Sequence, residues 1–408
     1  MKFCAGICWI MLFINCRQGG MSFKVDEIAF IPNAQTPNLC LTAEDDLYLT
    51  WTHEVNDSTD ALNFSKIDQD TLTETQEFAQ GQDWFINWAD FPSMAVMAGS
   101  GSTMVANFLQ KRQGGANYNY DIKLAFTRGG NTFRIIDTLH DSVPAEHGFV
   151  SLLPYRFNNI MVTWLDGRAM TSGHGQSNHE NQHGSMQLRS SFIDMEGKIT
   201  QNLLIDDRVC ECCNTDMALT AKGPILVYRN RSEDEERDIY YCLYQNGQWT
   251  TAKPVNTDHW KIMGCPVNGP AVSALKEKVA VVYYTEVNQL PEIKLCLSYN
   301  SGENFTIIKT ISTHHTQGRL DVCWIDSTRL AVSYLDKHNK SDDSTFLMIK
   351  LFDQYGTVMH DQSITTLSAS RKTGFPILES KYGTLYLAFT ETKNEQETNV
   401  RLKKIDIN

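Results

Sequence analysis

The chain has 408 residues, of which 42% are apolar, 21% charged and 10% aromatic; it can bury a large core and is neither a disordered nor a collagen-like polymer. Its 36 basic residues against 48 acidic ones leave a formal charge of -12, so it lacks the electrostatic footprint of a nucleic-acid binder or of a protein that docks on an anionic membrane surface.

At the N-terminus Lys2 precedes an apolar run over residues 3–14 that is too short to span a bilayer, which takes a helix of about 20 residues. It fits the apolar region of a secretory leader. Phe13-Ile14-Asn15-Cys16 resembles the end of a bacterial lipoprotein signal, with Cys16 as the acylated first residue of the mature chain. Plain secretion is the alternative. Residues 1–16 are therefore read as a leader and 17–408 as one exported domain, an envelope lipoprotein or a secreted protein whose only membrane tie is the N-terminal lipid. Export makes disulfides permissible.

Beyond the leader, a β-rich run ending in an aromatic residue recurs: Leu49-Thr50-Trp51, Ala106-Asn107-Phe108, Val162-Thr163-Trp164, Leu226-Val227-Tyr228, Val281-Val282-Tyr283, Val332-Ser333-Tyr334 and Leu387-Ala388-Phe389. The aromatic positions lie 51 to 64 residues apart. Each unit reads as four strands; in the fifth these are residues 271–275, the aromatic run, 293–298 and 307–311. Turn residues punctuate them, and no stretch shows a sustained helical period. Four antiparallel strands at this spacing predict an all-β fold, a seven-bladed β-propeller. A six-bladed ring is the alternative parse. The last unit has room for three strands, so residues 25–30 are expected to return as its fourth and close the ring.

Ser298-Tyr299-Asn300-Ser301-Gly302-Glu303-Asn304-Phe305 resembles the Asp-box of sialidases, Ser-x-Asp-x-Gly-x-x-Trp/Phe, and Phe126-Thr127-Arg128-Gly129-Gly130-Asn131-Thr132-Phe133 is a weaker copy. The pattern makes a tight hairpin: glycine takes the positive-φ position, the Asp-like side chain binds turn amides, and the aromatic ring staples the turn to its blade. Nearly all of the mature chain resembles secreted, exo-α-sialidase-like Asp-box proteins of bacteria, through Asn87-Trp88-Ala89-Asp90-Phe91-Pro92-Ser93, Glu146-His147-Gly148-Phe149, Trp164-Leu165-Asp166-Gly167-Arg168, Arg208-Val209-Cys210-Glu211-Cys212-Cys213, Tyr228-Arg229-Asn230-Arg231 and Gly264-Cys265-Pro266-Val267-Asn268-Gly269-Pro270. The resemblance implies a propeller and, if the chain is an enzyme, a glycoside hydrolase of exo-α-sialidase type. The Arg-Ile-Pro segment that begins the arginine clamp of sialidases has its nearest counterpart in Phe30-Ile31-Pro32, without the arginine.

In a propeller the fourth-to-first and second-to-third connections gather on one face around the channel, and ligand sites belong there. Candidate ligand-binding residues are Trp88, Glu146, Asp166, Arg168, Arg208, Arg229, Arg231, Asn268, Arg319 and Arg371, since guanidinium forks hold carboxylates and indole faces stack on sugar rings. Arg229, Arg231 and Asp238 read equally as bridges between blades, and Asp166-Gly167 as a turn with Arg168 solvated. Asp90 and His147 form a candidate acid/base couple, with a structural hydrogen-bonded pair as the alternative. Glu286 is a third catalytic candidate. Tyr228, Tyr283 and Tyr284 are candidate nucleophiles among which spacing does not choose.

Of the eight cysteines outside the leader and Cys16, Cys40, Cys242, Cys296 and Cys323 sit singly in apolar runs and read as buried thiols. Cys210, Cys212, Cys213 and Cys265 fall at adjacent blade junctions, where two disulfides, a metal site and a redox pair are all open, disulfides leading in an exported chain. The loop from His174 through His179 to His183 reads as solvent-exposed decoration or as imidazole ligands for copper or zinc. No cofactor is predicted beyond a metal ion at the cysteines. The leading expectation is a propeller that binds an acidic or polar glycan or glycoconjugate at its channel mouth, with hydrolysis as a further step. A non-catalytic carbohydrate- or protein-binding envelope module and a metal- or thiol-dependent enzyme are the alternatives. Oligomeric state is left open.

Overall fold

Strands rich in valine, leucine and isoleucine with both neighbours apolar are stable only when their sheets are covered on both faces. Radial stacking of small twisted sheets meets that demand and hides the sheet edges. The computed structural model describes residues 21–99, 102–113, 119–130, 132–136, 139–156, 158–170, 184–337, 339, 341–393 and 397–408. Cys16, His174, His179 and His183 lie outside the described residues.

The described residues form seven antiparallel sheets, the blades of a propeller. From channel to rim, blade 3 runs His147–Tyr155, Asn159–Asp166, Met186–Asp194 and Ile199–Val209, and blade 5 runs Ala271–Leu275, Lys278–Val287, Leu290–Ser298 and Ile307–Thr313. Blades 1, 2, 4 and 6 begin on the inner strands Ala34–Leu41, Met94–Val96, Asp216–Thr220 and Thr316–Trp324, and blade 7 on Ile377–Lys381. The outermost strand of blade 7 is Phe23–Pro32, paired with Thr398–Ile407 so that Phe23 faces Ile407 and Pro32 faces Asn399. The six-bladed parse fails because each of the seven aromatic runs is the second strand of its own sheet. No helix among the described residues is long and apolar enough to cross a membrane.

Those seven aromatic residues, Trp51, Phe108, Trp164, Tyr228, Tyr283, Tyr334 and Phe389, are at most 5% exposed. They feed apolar clusters between neighbouring blades; one holds Val282, Ile293 and Leu295 of blade 5 against Leu320, Val332 and Tyr334 of blade 6, and another closes blade 7 on blade 1 through Ala388, Val400, Leu49 and Trp51. Burying each large side chain contributes about 1.5–3 kcal/mol.

The turn after Leu290–Ser298 is held by its own polar groups. Gly302 N donates to Ser298 Oγ at 3.1 Å, Asn304 N donates to Asn300 Oδ1 at 3.2 Å, and Gly302 has φ 81°. Phe305 packs edge-on against Tyr241 of blade 4 at 5.2 Å. In the weaker copy the Thr127 hydroxyl accepts from Gly129 N and Gly130 N, leaving Arg128 to pair with Glu196.

Trp164 fills the interface between blades 2 and 3. Trp164→Ala is expected to lower unfolding free energy by about 3–5 kcal/mol in urea titration, while Tyr382→Ala, at an 80% exposed position, stays within about 0.5 kcal/mol.

Candidate functional site

The inner strands enclose an axial channel of about 300 Å³ whose wall includes Asn38, Asp90, Ser151, Asp216, Asp321 and Glu379. Side chains on this wall hydrogen-bond to the next blade around most of the ring. Asp90 Oδ1 accepts Phe149 N at 2.8 Å, Ser151 Oγ donates to Thr215 O at 2.7 Å, and Asp216 Oδ2 accepts Val272 N at 2.7 Å. Ser273 Oγ accepts Trp324 N at 3.0 Å, and Asp321 Oδ2 accepts Leu378 N at 2.7 Å. Burial pushes Asp90 up to about 8 and both Asp216 and Glu379 up to about 7; Asp321 is also raised well above the carboxylate range, by burial and by the charges of Asp216 and Glu379. Asp216, Asp321 and Glu379 touch the lumen, whereas Asp90 is sealed.

At the mouth, Trp88, Arg319 and Arg371 come together from the approaches to blades 2, 6 and 7. The guanidinium carbons of Arg319 and Arg371 lie 4.8 and 6.0 Å from the Trp88 ring, and Phe375 stacks on that ring at 6.0 Å. A β-bulge aims Arg319: the register of its strand shifts after Gly318, where a Cβ would meet Asn268 Oδ1 at 2.3 Å, and Arg319 itself has φ 49°. Its Nη1 donates to Ser370 O at 2.7 Å. Among the described residues no carboxylate pairs with Arg319 or Arg371. Burial and the Arg371 charge together bring Arg319 down to about 10. The expected stacking of a sugar on Trp88 is not what the ring is arranged for, because Phe375 and Arg319 already pack against it.

Asn268 is a brace rather than a ligand group. Its Oδ1 accepts Arg319 N at 2.8 Å, its Nδ2 donates to Gln317 O at 3.1 Å, and its carbonyl accepts both Nε and Nη2 of Arg229. Arg229 is 2% exposed and spends its remaining protons on Arg237 O and Tyr284 O, with Trp260 under its guanidinium at 4.9 Å. It bridges blades 4 and 5. Arg231 is held by Glu235 at 2.7 Å and Glu211 at 3.2 Å, and Arg237 by Glu235 at 2.7 Å and Glu211 at 3.4 Å. Arg208 and Arg231 line a separate open groove of about 790 Å³ with Tyr240 and Trp249. The arginines expected to act together thus divide between structural bridges, this groove and the Trp88 cluster.

Beside Arg237, Cys210 Sγ is 3.7 Å from both Cys212 Sγ and Cys213 Sγ, and Cys265 contacts Cys212. The disulfides expected here are not formed: all eight described cysteines are free thiols, and 3.7 Å is far beyond the S–S bond length of about 2.05 Å.

The Asp90–His147 couple is not formed. Asp90 binds the Phe149 amide, and His147, fully buried, stacks on His140 at 3.8 Å with its Nε2 3.6 Å from Asp166 Oδ1. The Asp90 carboxylate packs on the backbone of Gly148, where a Cβ would lie 2.1 Å from Oδ2. His140 accepts Ile122 N at Nε2, so its Nδ1 donates to Asp141 O; burial and His147 bring it down to about 4. Asp166 receives Nε and Nη2 of Arg168 at 2.8 and 2.7 Å and Trp164 Nε1 at 2.8 Å. Burial opposes its ionisation, but those bonds hold it well below the ordinary carboxylate range. Arg168 also pairs with Asp141 at 2.9 Å. Asp166 and Arg168 are therefore fixtures of blade 3.

Glu146 takes a 2.6 Å hydrogen bond from Tyr120, and burial, followed by the Glu211 charge, outweighs that bond and lifts it to about 7. Glu286 accepts Tyr284 OH at 3.0 Å, while Tyr228 donates to Asp206 and Tyr283 to Asp258, each at 2.6 Å. Burial raises the proton affinity of all three phenols. The sequence reading missed Tyr120, His140, Asp216, Asp321 and Glu379. Asp216-Met217-Ala218 and Asp321-Val322-Cys323 carried a signal, an acidic residue leading into an apolar stretch of an inner strand.

No protein-family profile matches the chain, and no curated protein sequence is similar to it. Among solved structures it is similar to the polysaccharide lyase Uly1, with TM-score 0.53 and 9% identity over 90% of this chain and 89% of the other. A protein of unknown function from Dyadobacter fermentans aligns with TM-score 0.50 and 9% identity over 94% of this chain and 99% of that one. The NanB sialidase from Streptococcus pneumoniae aligns with TM-score 0.42 and 12% identity over 91% and 68%. The likeness is one of fold.

Between about pH 4 and 8 the folded chain keeps protons on Asp90, Asp216, Glu379 and Glu146 that the unfolded chain releases, so stability falls as pH rises through that window. Asp166 and His140 act the other way: the contribution of Asp166 is lost only in more acid solution, and His140, brought down to about 4, offsets part of the fall below about pH 6.5. Urea midpoints are expected to decrease from pH 5 to 8.5, and Asp90→Asn or Asp216→Asn to flatten the slope. A flat wild-type profile would contradict the assigned proton affinities.

Proposed function

We propose that this propeller binds an anionic glycan, carboxylated or sulfated, through Arg319 and Arg371 at the channel mouth. The observation that carries the reading is two guanidinium groups on one indole with no carboxylate paired to them among the described residues. Elsewhere on this face Arg168, Arg231 and Arg237 are each neutralised by acidic partners. A buried cation whose nearest charge has the same sign is stabilised by an incoming anion, and guanidinium forks match carboxylate and sulfate oxygens. The fold likeness to a polysaccharide lyase supports a carbohydrate as the ligand class. Export, with a lipid on Cys16, would place the site among such glycans.

Calorimetric titration with carboxylated or sulfated oligosaccharides tests this. Binding is expected to weaken with salt, and Arg371→Ala, at an exposed position, to reduce affinity by about tenfold or more, in line with about 1.5–3 kcal/mol for a hydrogen bond to a charged group. Equal affinity for the carboxyl-reduced or desulfated sugar would refute the reading. New reducing ends or free monosaccharide after incubation would add a carbohydrate-cleaving activity to the binding function.

A further inference from the structure

The cysteine cluster lies outside the arginine site, and its geometry is that of a ligand set rather than of a cross-link. Cys210 Sγ is equidistant, at 3.7 Å, from Cys212 Sγ and Cys213 Sγ, and all three sulfurs lie within 4.8 Å of one another. A metal ion bonded to thiolates at about 2.3 Å in a tetrahedron sets its sulfurs about 3.8 Å apart. A disulfide needs sulfurs about 2.05 Å apart, and all four of these cysteines are free thiols.

Two loops deliver the thiols. Cys210 is anchored by its amide to Arg229 O at 3.0 Å, and the loop carrying Cys265 is tied to the first by Gly269 N donating to Asn214 Oδ1 at 3.1 Å. Those loops approach so closely that a Cβ on Gly269 would lie 2.1 Å from Asn214 O. Cys265 contacts Cys212 from the exposed side, giving a fourth sulfur and a route in from solvent. A donor from the protein meets the cluster on its buried side, where Arg237 Nη1 donates to Cys210 Sγ at 3.1 Å.

We infer that Cys210, Cys212 and Cys213, completed by Cys265, form a binding site for a thiophilic d¹⁰ metal ion, Zn²⁺ or Cu⁺. Soft thiolate donors select these ions. Each sulfur that binds the ion releases its proton to solvent, so affinity rises with pH. Arg237 Nη1, which donates to Cys210 Sγ, serves as a hydrogen-bond donor to the metal-bound sulfur.

The experiment uses the full chain, reduced and desalted without oxygen, and titrated with Zn²⁺ or with Cu⁺ against a chromophoric chelator. Co²⁺ serves as a spectroscopic probe for thiolate-to-metal charge transfer. One ion per chain is expected. Cys212→Ser is expected to weaken binding by about 100-fold or more, while Cys40→Ser, a partly buried thiol on the inner strand of blade 1, has no effect. Cys265→Ser separates the ions: it weakens Zn²⁺, which takes four ligands, and spares Cu⁺, which three thiolates satisfy. Circular dichroism checks that each variant folds, and alkylation mapping of the wild type gives a reading that needs no variant, with the metal shielding the cluster cysteines alone. Failure of both ions to bind stoichiometrically, unchanged affinity in Cys212→Ser, or native disulfides among the four cysteines would overturn the site. None of these outcomes depends on glycan binding at Arg319 and Arg371.

Discussion

Ring closure by the pairing of Phe23–Pro32 with Thr398–Ile407 is the constraint on which the rest of the molecule depends. Blades bury their apolar faces only against neighbours, so an open ring would expose two of them, one at each end. Once closed, the ring fixes the inner strands around an axis, and that is what brings Trp88, Arg319 and Arg371 into contact although they are far apart in the chain. The same closure lets Asp90, Ser151, Asp216, Ser273 and Asp321 hydrogen-bond from one blade to the next. Burying three of those bonds with carboxylates raises their proton affinities, which ties ring stability to pH.

The mouth divides by charge compensation. Toward blades 4 and 5, Glu211 and Glu235 balance Arg231 and Arg237, and Arg229 is satisfied by backbone carbonyls. Toward blades 6 and 7, Arg319 and Arg371 share an aromatic platform without an acidic partner. Asn268 links the halves, accepting Arg319 N on its side chain and Arg229 on its carbonyl.

The propeller was legible because its repeating unit is local: an aromatic residue ending an apolar second strand, with turn residues between strands, and a strand deficit in the last unit that residues 25–30 could fill. The grouping of Trp88, Arg319 and Arg371 on one face followed from topology once the blades were parsed. What sequence could not resolve was which arginines were free. Arg229 differs from Arg319 only in its acceptors, and those are carbonyls of Arg237, Asn268 and Tyr284, contributed by loops and a strand that no spacing rule brings together. His147 and Asp90 were read as partners because they fall at successive junctions, but the strand beginning at His147 turns the imidazole toward Asp166 and His140. Cys210, Cys212, Cys213 and Cys265 were grouped by their blade junctions, and the fold brings them together as free thiols.

The most direct measurement is a crystal structure of the protein grown with a sulfated or carboxylated disaccharide. The account predicts a closed seven-bladed ring with the anionic group seated between the guanidiniums of Arg319 and Arg371 above Trp88. An anion held elsewhere, or a chain in which those three residues occupy separate surfaces, would contradict it.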